Sequence, residues 1–241
     1  AQKLTFEGRN NNYPAWNPDG SSVSYFSDVR DRESDLWVKK ADASTQAAQL
    51  LKFRNPTESE WSRDGQWLIF RTAVSQPGKG DIFAIRPGRD SAPMPIAATP
   101  FAEAFPAISP DGRWLAYASN ETGHHEVYVV PFPNASSAKW PVSSGGGTEP
   151  VWSRNGRELF YRDGAGNMVS VEIGSSTTFS AGTSKILFSA RGYRSGHSHR
   201  QYDVAPDGRF MMVRDQILRG GADTIFVVDN WFEELKAKAR K

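Results

Sequence analysis

FPAISPDGRWLAYAS, residues 105–119, reads as a short strand, a four-residue turn and a longer strand. Ser109-Pro110-Asp111-Gly112 suits a type I turn. A side-chain acceptor opens it, Pro110 presets φ at the second position, Asp111 takes the third, and Gly112 adopts a conformation that a Cβ disfavours. The chain writes this hairpin five times. The turn recurs as NPDG (17–20), SRDG (62–65), SRNG (153–156) and APDG (205–208), and the five glycines are spaced by 45, 47, 44 and 52 residues.

Before each turn stands an apolar residue: Trp16, Trp61, Ile108, Trp152 and Val204. After each comes a strand: SVSYF, QWLIF, RWLAY, RELFY and RFMMV. A third strand follows around Trp37, Phe83, Tyr128, Val169 and Phe226. A fourth is readable in residues 48–53, 95–99, 139–143 and 185–189. Four strands per unit of 40–50 residues is the signature of a β-propeller blade. The second strands carry apolar groups on both faces, as in Trp67, Leu68, Ile69 and Phe70, which means burial on both sides. A β-sandwich has no need of five copies of one turn at near-constant spacing.

The expected fold is therefore an all-β propeller of four-stranded antiparallel blades in one domain, residues 1–241. The blades fall around 13–53, 58–99, 105–143, 149–189 and 201–230. The last repeat lacks its fourth strand, and KLTF (3–6) matches that pattern, so the N-terminal strand is expected to complete the fifth blade and remove a sheet edge. Six blades, one supplied by upstream chain, is the alternative. Residues 231–241 read as a short helix with acids early and cations late, as the helix dipole prefers.

Composition excludes several classes. The 241 residues carry a net charge of +2, with no basic patch beyond the tail Lys236, Lys238, Arg240 and Lys241, so no nucleic-acid partner is expected. No apolar run reaches the ~18 residues of a membrane helix, so no membrane insertion by this segment is expected. Zero cysteines exclude disulfides, thiol catalysis and Cys-ligated zinc. The chain starts at Ala1 without a signal-peptide pattern, as a processed protein or a fragment would.

PAWNPDG (14–20), PAISPDG (106–112) and PVWSRNG (150–156) resemble the repeats of the TolB-like, WD-repeat-like β-propeller family, as do SNETGHHEVYVV (119–130) and SDVRDRESDLWV (27–38). The resemblance covers essentially the whole chain. YDVAPDGRFMMVR (202–214) followed by IFVVDNWFEELK (225–236) is similar to the C-terminal end of bacterial transmembrane serine/threonine kinases with a propeller sensor half. No kinase motif is present. The resemblance implies a sensor or interaction module of a larger signalling protein, extracytoplasmic if its parent is such a receptor. Related propellers also serve as non-catalytic halves of prolyl-oligopeptidase-like hydrolases and in the Tol system.

The anchor tryptophans read as packing between blades, and Asp19, Asp64, Asp111 and Asp207 as turn residues rather than metal ligands. Of the four histidines, His124 and His125 sit in a hairpin loop. His197 and His199 on an extended segment point the same way and are the better metal candidates, though weak ones. Residues 196–200 lack the final glycine of a nucleophile elbow, and no catalytic residue or cofactor is read from the sequence.

Geometry supplies the remaining candidates. The first-strand residues three before each anchor, Tyr13, Glu58, Phe105, Glu149 and Gln201, are expected to ring one mouth of the central channel. Above them, the inserted loop 190–200 accounts for the longest spacing and offers Arg191, Tyr193, Arg194 and Arg200 as ligand contacts. The expected partner is a protein, peptide or small ligand bound by a monomeric, non-enzymatic module. A hydrolase or lyase using Glu58, Glu149 or a His-bound metal at the mouth, and a structural adaptor, are the alternatives.

Overall fold

The computed structural model of the chain describes residues 4–5, 10–30, 33–53, 56–73, 80–174, 177–196 and 199–214. Four consecutive antiparallel meanders form four-stranded sheets. The first blade holds β1 (Asn11–Trp16), β2 (Ser22–Arg30), β3 (Glu33–Lys40) and β4 (Ala48–Phe53). The second holds β5 (Pro56–Trp61), β6 (Leu68–Thr72), β7 (Ile82–Ile85) and β8 (Met94–Ala97). In the third, β9 (Glu103–Ile108), β10 (Trp114–Ser119) and β11 (Glu126–Pro131) are followed by a 3₁₀ turn and the two-residue β12 (Trp140–Pro141). The fourth comprises β13 (Gly147–Trp152), β14 (Glu158–Asp163), β15 (Asn167–Ile173) and β16 (Ala181–Ser189). A fifth sheet pairs β17 (Tyr202–Val204) with β18 (Phe210–Met212).

The sheets make an all-β propeller. The third strand read at 225–227 and the C-terminal helix lie outside the described residues. So does the N-terminal strand, except for Leu4 and Thr5, which are in no strand. The expected closure of the ring by that strand falls outside the described residues as well.

Each repeated turn is locked by its own side chains. Ser109 donates its hydroxyl to Asp111 Oδ1 at 2.6 Å and accepts the Trp114 amide at 2.9 Å, while Asp111 Oδ1 accepts the Arg113 amide. Ser62 with Asp64 and Ser153 with Asn155 repeat the same three bonds. Gly112 sits at φ 71°, which explains the invariance of glycine among the five copies.

Blades pack face to face through four apolar clusters, one at each junction from first to fifth. At the third–fourth junction Ala107, Trp114 and Val129 meet Trp152, Leu159 and Phe179. Burying each such large side chain contributes roughly 1.5–3 kcal/mol. That requirement explains the doubly apolar second strands: every residue of β10 is buried.

The anchor tryptophans show how neighbouring blades are fixed. Trp152 Nε1 donates to the Ala107 carbonyl of the third blade at 2.9 Å, and Trp61 Nε1 donates to Ser24 Oγ of the first at 3.0 Å. Trp16 departs from the expected packing role, being 62% exposed. Its neighbour across that junction is the fifth blade, of which two strands are described.

Candidate functional site

The first strands gather at the centre, β1 beside β5, β5 beside β9 and β9 beside β13. Each carries a β-bulge at one repeat position, where the ladder skips between Asn12 and Ala15, Thr57 and Ser59, Ala104 and Ala107, and Thr148 and Val151. The bulged residues are Tyr13, Glu58, Phe105 and Glu149, with φ of 52°, 32°, 56° and 56°. A left-handed non-glycine residue costs roughly 1–2 kcal/mol. Its appearance in four blades makes it a feature of the blade rather than of one site. The bulge also explains Pro14, Pro106 and Pro150: the residue after the bulge gives no ladder bond, so a missing N–H costs nothing.

What each bulge presents depends on the second-strand residue thirteen positions on. In the first blade Tyr13 meets Phe26 edge to face at 6.4 Å, and in the third Phe105 packs with Ala104 and Ala118. In the second and fourth blades the pairs are ionic, Glu58 with Arg71 and Glu149 with Arg162. Arg71 and Arg162 were not singled out in the sequence. Their signal was available, an arginine directly after a buried apolar run, in LIFR (68–71) and LFYR (159–162), because a charge in a doubly buried strand needs a partner.

The two ionic pairs differ in completeness. Arg162 Nε lies 2.6 Å from Glu149 Oε2, and its other nitrogens donate to the Ala190 and Arg194 carbonyls at 3.2 and 2.6 Å. Glu149 Oε1 accepts the Gly196 and Gln201 amides at 2.6 and 3.0 Å, and the Glu149 carbonyl accepts the Tyr202 hydroxyl at 2.7 Å. A Cβ on Gly196 would fall 2.8 Å from Glu149 Oε1 and 1.8 Å from the His199 carbonyl, so only glycine fits. The fourth blade thus holds the inserted loop down by its backbone.

In the second blade Glu58 Oε2 stands 3.9 Å from Arg71 Nε and has no hydrogen-bond partner among the described residues. Among the described residues Oε1 accepts only the Arg200 amide, at 3.3 Å. Burial pushes the Glu58 carboxyl up to about 7 against the pull of Arg200 and Arg71. Burial likewise raises Glu60, whose Oε2 accepts from Arg200 Nη2 at 3.0 Å. For Arg200, burial opposes the charge, but Glu60, Glu58 and Asp203 outweigh it and hold the guanidinium above its ordinary value.

Arg200 precedes the fifth blade yet contacts the second, so this segment lies across the centre of the ring. A cleft of about 430 Å³ opens there, lined by Tyr13, Glu58, Ser59, Arg200, Tyr202 and Asp203, with His199 5.8 Å edge to face from Tyr13.

The structure therefore brings Tyr13, Glu58 and Arg200 together in one cleft, with Glu149 and Gln201 joined beside it. Phe105 is 2% exposed and packed within its own blade, away from the cleft. Arg191 is exposed and donates Nε to the Ala165 carbonyl. Arg194 is exposed, with its amide bonded to the Val213 carbonyl. Tyr193 packs against the fourth–fifth junction. Among the described residues no three His, Asp or Glu side chains are grouped to hold a metal; His197 lies outside them. His124 bonds Glu126 at 2.8 Å in the third blade. Glu60 and Asp203 were also missed, since neither occupies the repeat position that draws attention to the bulges.

The class defined by this architecture is a β-propeller with a chain segment folded over one mouth. No protein-family model matches the chain, and no curated protein sequence matches it. Solved structures do. TolB of Agrobacterium tumefaciens (described as putative) superposes with a TM-score of 0.58 at 17% identity, covering 83% of this chain and 72% of that one. TolB of Acinetobacter baumannii gives 0.57 at 17%, covering 75% of this chain and 44% of that one. A nidogen/laminin complex gives 0.52 at 12%, covering 68% and 60%. The fold is a TolB-like β-propeller.

Proposed function

We propose that the chain is a non-catalytic binding module that takes a peptide segment of a partner protein at the mouth crossed by residues 199–203. The observation that carries this is the cleft itself. It joins an aromatic wall, a buried carboxyl with an unused oxygen and an arginine held by the protein's own acids, and it opens at the centre of the ring. Peptides bind where side-chain pockets and backbone donors converge on a rigid scaffold. Support also comes from the nidogen/laminin neighbour, which is a complex of two proteins. The likeness of residues 202–214 to receptor-kinase sensors favours a place for the module in a larger signalling protein.

The test is selection of displayed peptides on the purified chain, followed by calorimetry against wild type, Tyr13→Ser and Asp203→Ala. Selected peptides should lose tenfold or more in affinity for both variants. Peptides that bind the variants as well as wild type refute the mouth as the site.

A further inference from the structure

We propose that this cleft recognises a cationic side chain, the guanidinium or ammonium group of an incoming peptide, and that Arg200 is its internal stand-in, displaced when the ligand enters. The inference rests on reading the mouth as a peptide site and names the chemistry that it selects.

The comparison between blades carries the argument. Glu149 and Glu58 occupy the same bulge position, and each faces an arginine thirteen residues on. In the fourth blade Glu149 Oε1 accepts two backbone amides at 2.6 and 3.0 Å, and Oε2, without a hydrogen bond among the described residues, lies 2.6 Å from the Arg162 guanidinium. In the second, Oε2 of an equally placed acid stands 3.9 Å from its arginine, and among the described residues Oε1 accepts one long bond at 3.3 Å, although the side chain is 91% buried. A buried acceptor without a donor is destabilising. The position persists at a cleft wall, where a ligand can supply the missing donor.

The occupant already present shows what kind of donor fits. Arg200 lies among three acids, Glu58, Glu60 and Asp203, yet among the described residues its side-chain hydrogen bond reaches Glu60, while Glu58 receives its backbone amide. A guanidinium has five donors in a planar fork. One arriving from solvent, free of the geometry that the chain imposes on Arg200, can serve Glu58 and Glu60 together. The Tyr13 ring beside them adds the face on which a cation is favoured. Ionisation of Glu58, opposed by burial, becomes favourable as the ligand's charge arrives. Binding at about pH 6 is then accompanied by proton release. The other charged or titratable groups around Glu58 are Arg71, Arg200, Glu60, Asp203, Tyr13, Tyr202 and His199.

The experiment uses L-argininamide as the probe and N-acetylglycinamide as the neutral control, titrated calorimetrically into wild type, Arg200→Ala and Arg200→Ala/Glu58→Gln. Arg200→Ala should bind argininamide at least tenfold more tightly than wild type, and the added Glu58→Gln should remove that gain. The neutral control should bind none of them. Should Arg200→Ala be poorly folded, added methylguanidinium should raise its melting temperature and not that of wild type, because a ligand of the native state stabilises it by mass action. A folded Arg200→Ala that binds argininamide no better than wild type, or a melting temperature indifferent to methylguanidinium, overturns the proposal. Selected peptides without cations that nonetheless need Tyr13 and Asp203 would overturn cation selectivity and leave the mouth standing. A rescued Arg200→Ala beside a wild type that binds no peptide would support the cation site and sink the peptide reading.

Discussion

Replacing Arg162 by methionine tests whether the fourth-blade ion pair holds the mouth together. Methionine keeps much of the side-chain length and removes the charge and every donor. The Arg162 and Glu149 side chains are 4% and 0% exposed, with 2.6 Å between Nε and Oε2. Removal leaves a buried carboxylate without its cation and takes the Arg162 donor from the Ala190 and Arg194 carbonyls, the first of which keeps the Tyr193 amide. Breaking a buried pair from one side costs about 3–5 kcal/mol. Against a total stability of about 5–15 kcal/mol, that lowers the melting temperature by roughly 10 °C in a domain of this size. Urea unfolding followed by tryptophan fluorescence measures the free energy, and trypsin cleavage after Arg191 and Arg194 reports the loosened loop. Adding Glu149→Gln removes the stranded charge while keeping an acceptor for the Gly196 and Gln201 amides. The double variant should recover at least about 1.5 kcal/mol of the loss, a coupling typical of groups in direct contact. A cost below about 1 kcal/mol for Arg162→Met, or a double variant weaker than the single, refutes the reasoning.

Two further outcomes follow from the same geometry. Glu58 titrates near 7 when folded and near 4.5 when free, so its protonated form is the one the fold favours. Its contribution is complete below about pH 4.5 and lost as pH rises through about 7. The stability of wild type relative to Glu58→Gln should therefore fall by about 3 kcal/mol between about pH 4 and pH 8, measured by urea unfolding across pH. Trp152→Phe removes a buried donor to Ala107 and should cost about 1–3 kcal/mol, whereas Trp16→Phe, at the same repeat position but exposed, should stay within about 0.5 kcal/mol by thermal melting.

The architecture was legible because its causes are local. A turn written Ser-Pro-Asp-Gly satisfies its own amides, and Gly112 is needed for one backbone angle, so the repeat appears in the residues themselves. The bulges were located by counting back from the anchors, but not recognised as bulges. The left-handed φ of Tyr13, Glu58, Phe105 and Glu149 comes from a mismatch between two paired strands, and no residue type announces it. The proline after three of them is a trace visible afterwards. Trp16, Trp61 and Trp152 look equivalent in sequence, yet exposure separates them, because burial depends on what the neighbouring blade presents. The loop misled in another way. Its cations suggested ligand contacts, but the structure ties it down through backbone amides and carbonyls, which every residue owns and no sequence pattern displays.

Those backbone ties also explain why the cleft is in the second blade and not the fourth. Residues 190–196 run over the fourth blade, and their amides and carbonyls complete the Glu149–Arg162 pair, converting a polar bulge into a fastening. Among the described residues, the second blade is reached by the Arg200 amide and guanidinium, and the equivalent acid there is less fully met. The aromatic bulges diverge likewise: Phe105 closes within its blade, while Tyr13 is left partly open beside Glu58. Four equivalent bulges thus become two sealed positions and two that face a cleft. The difference is made by the path of one inserted segment, and shortening that segment should alter the site without altering the blades.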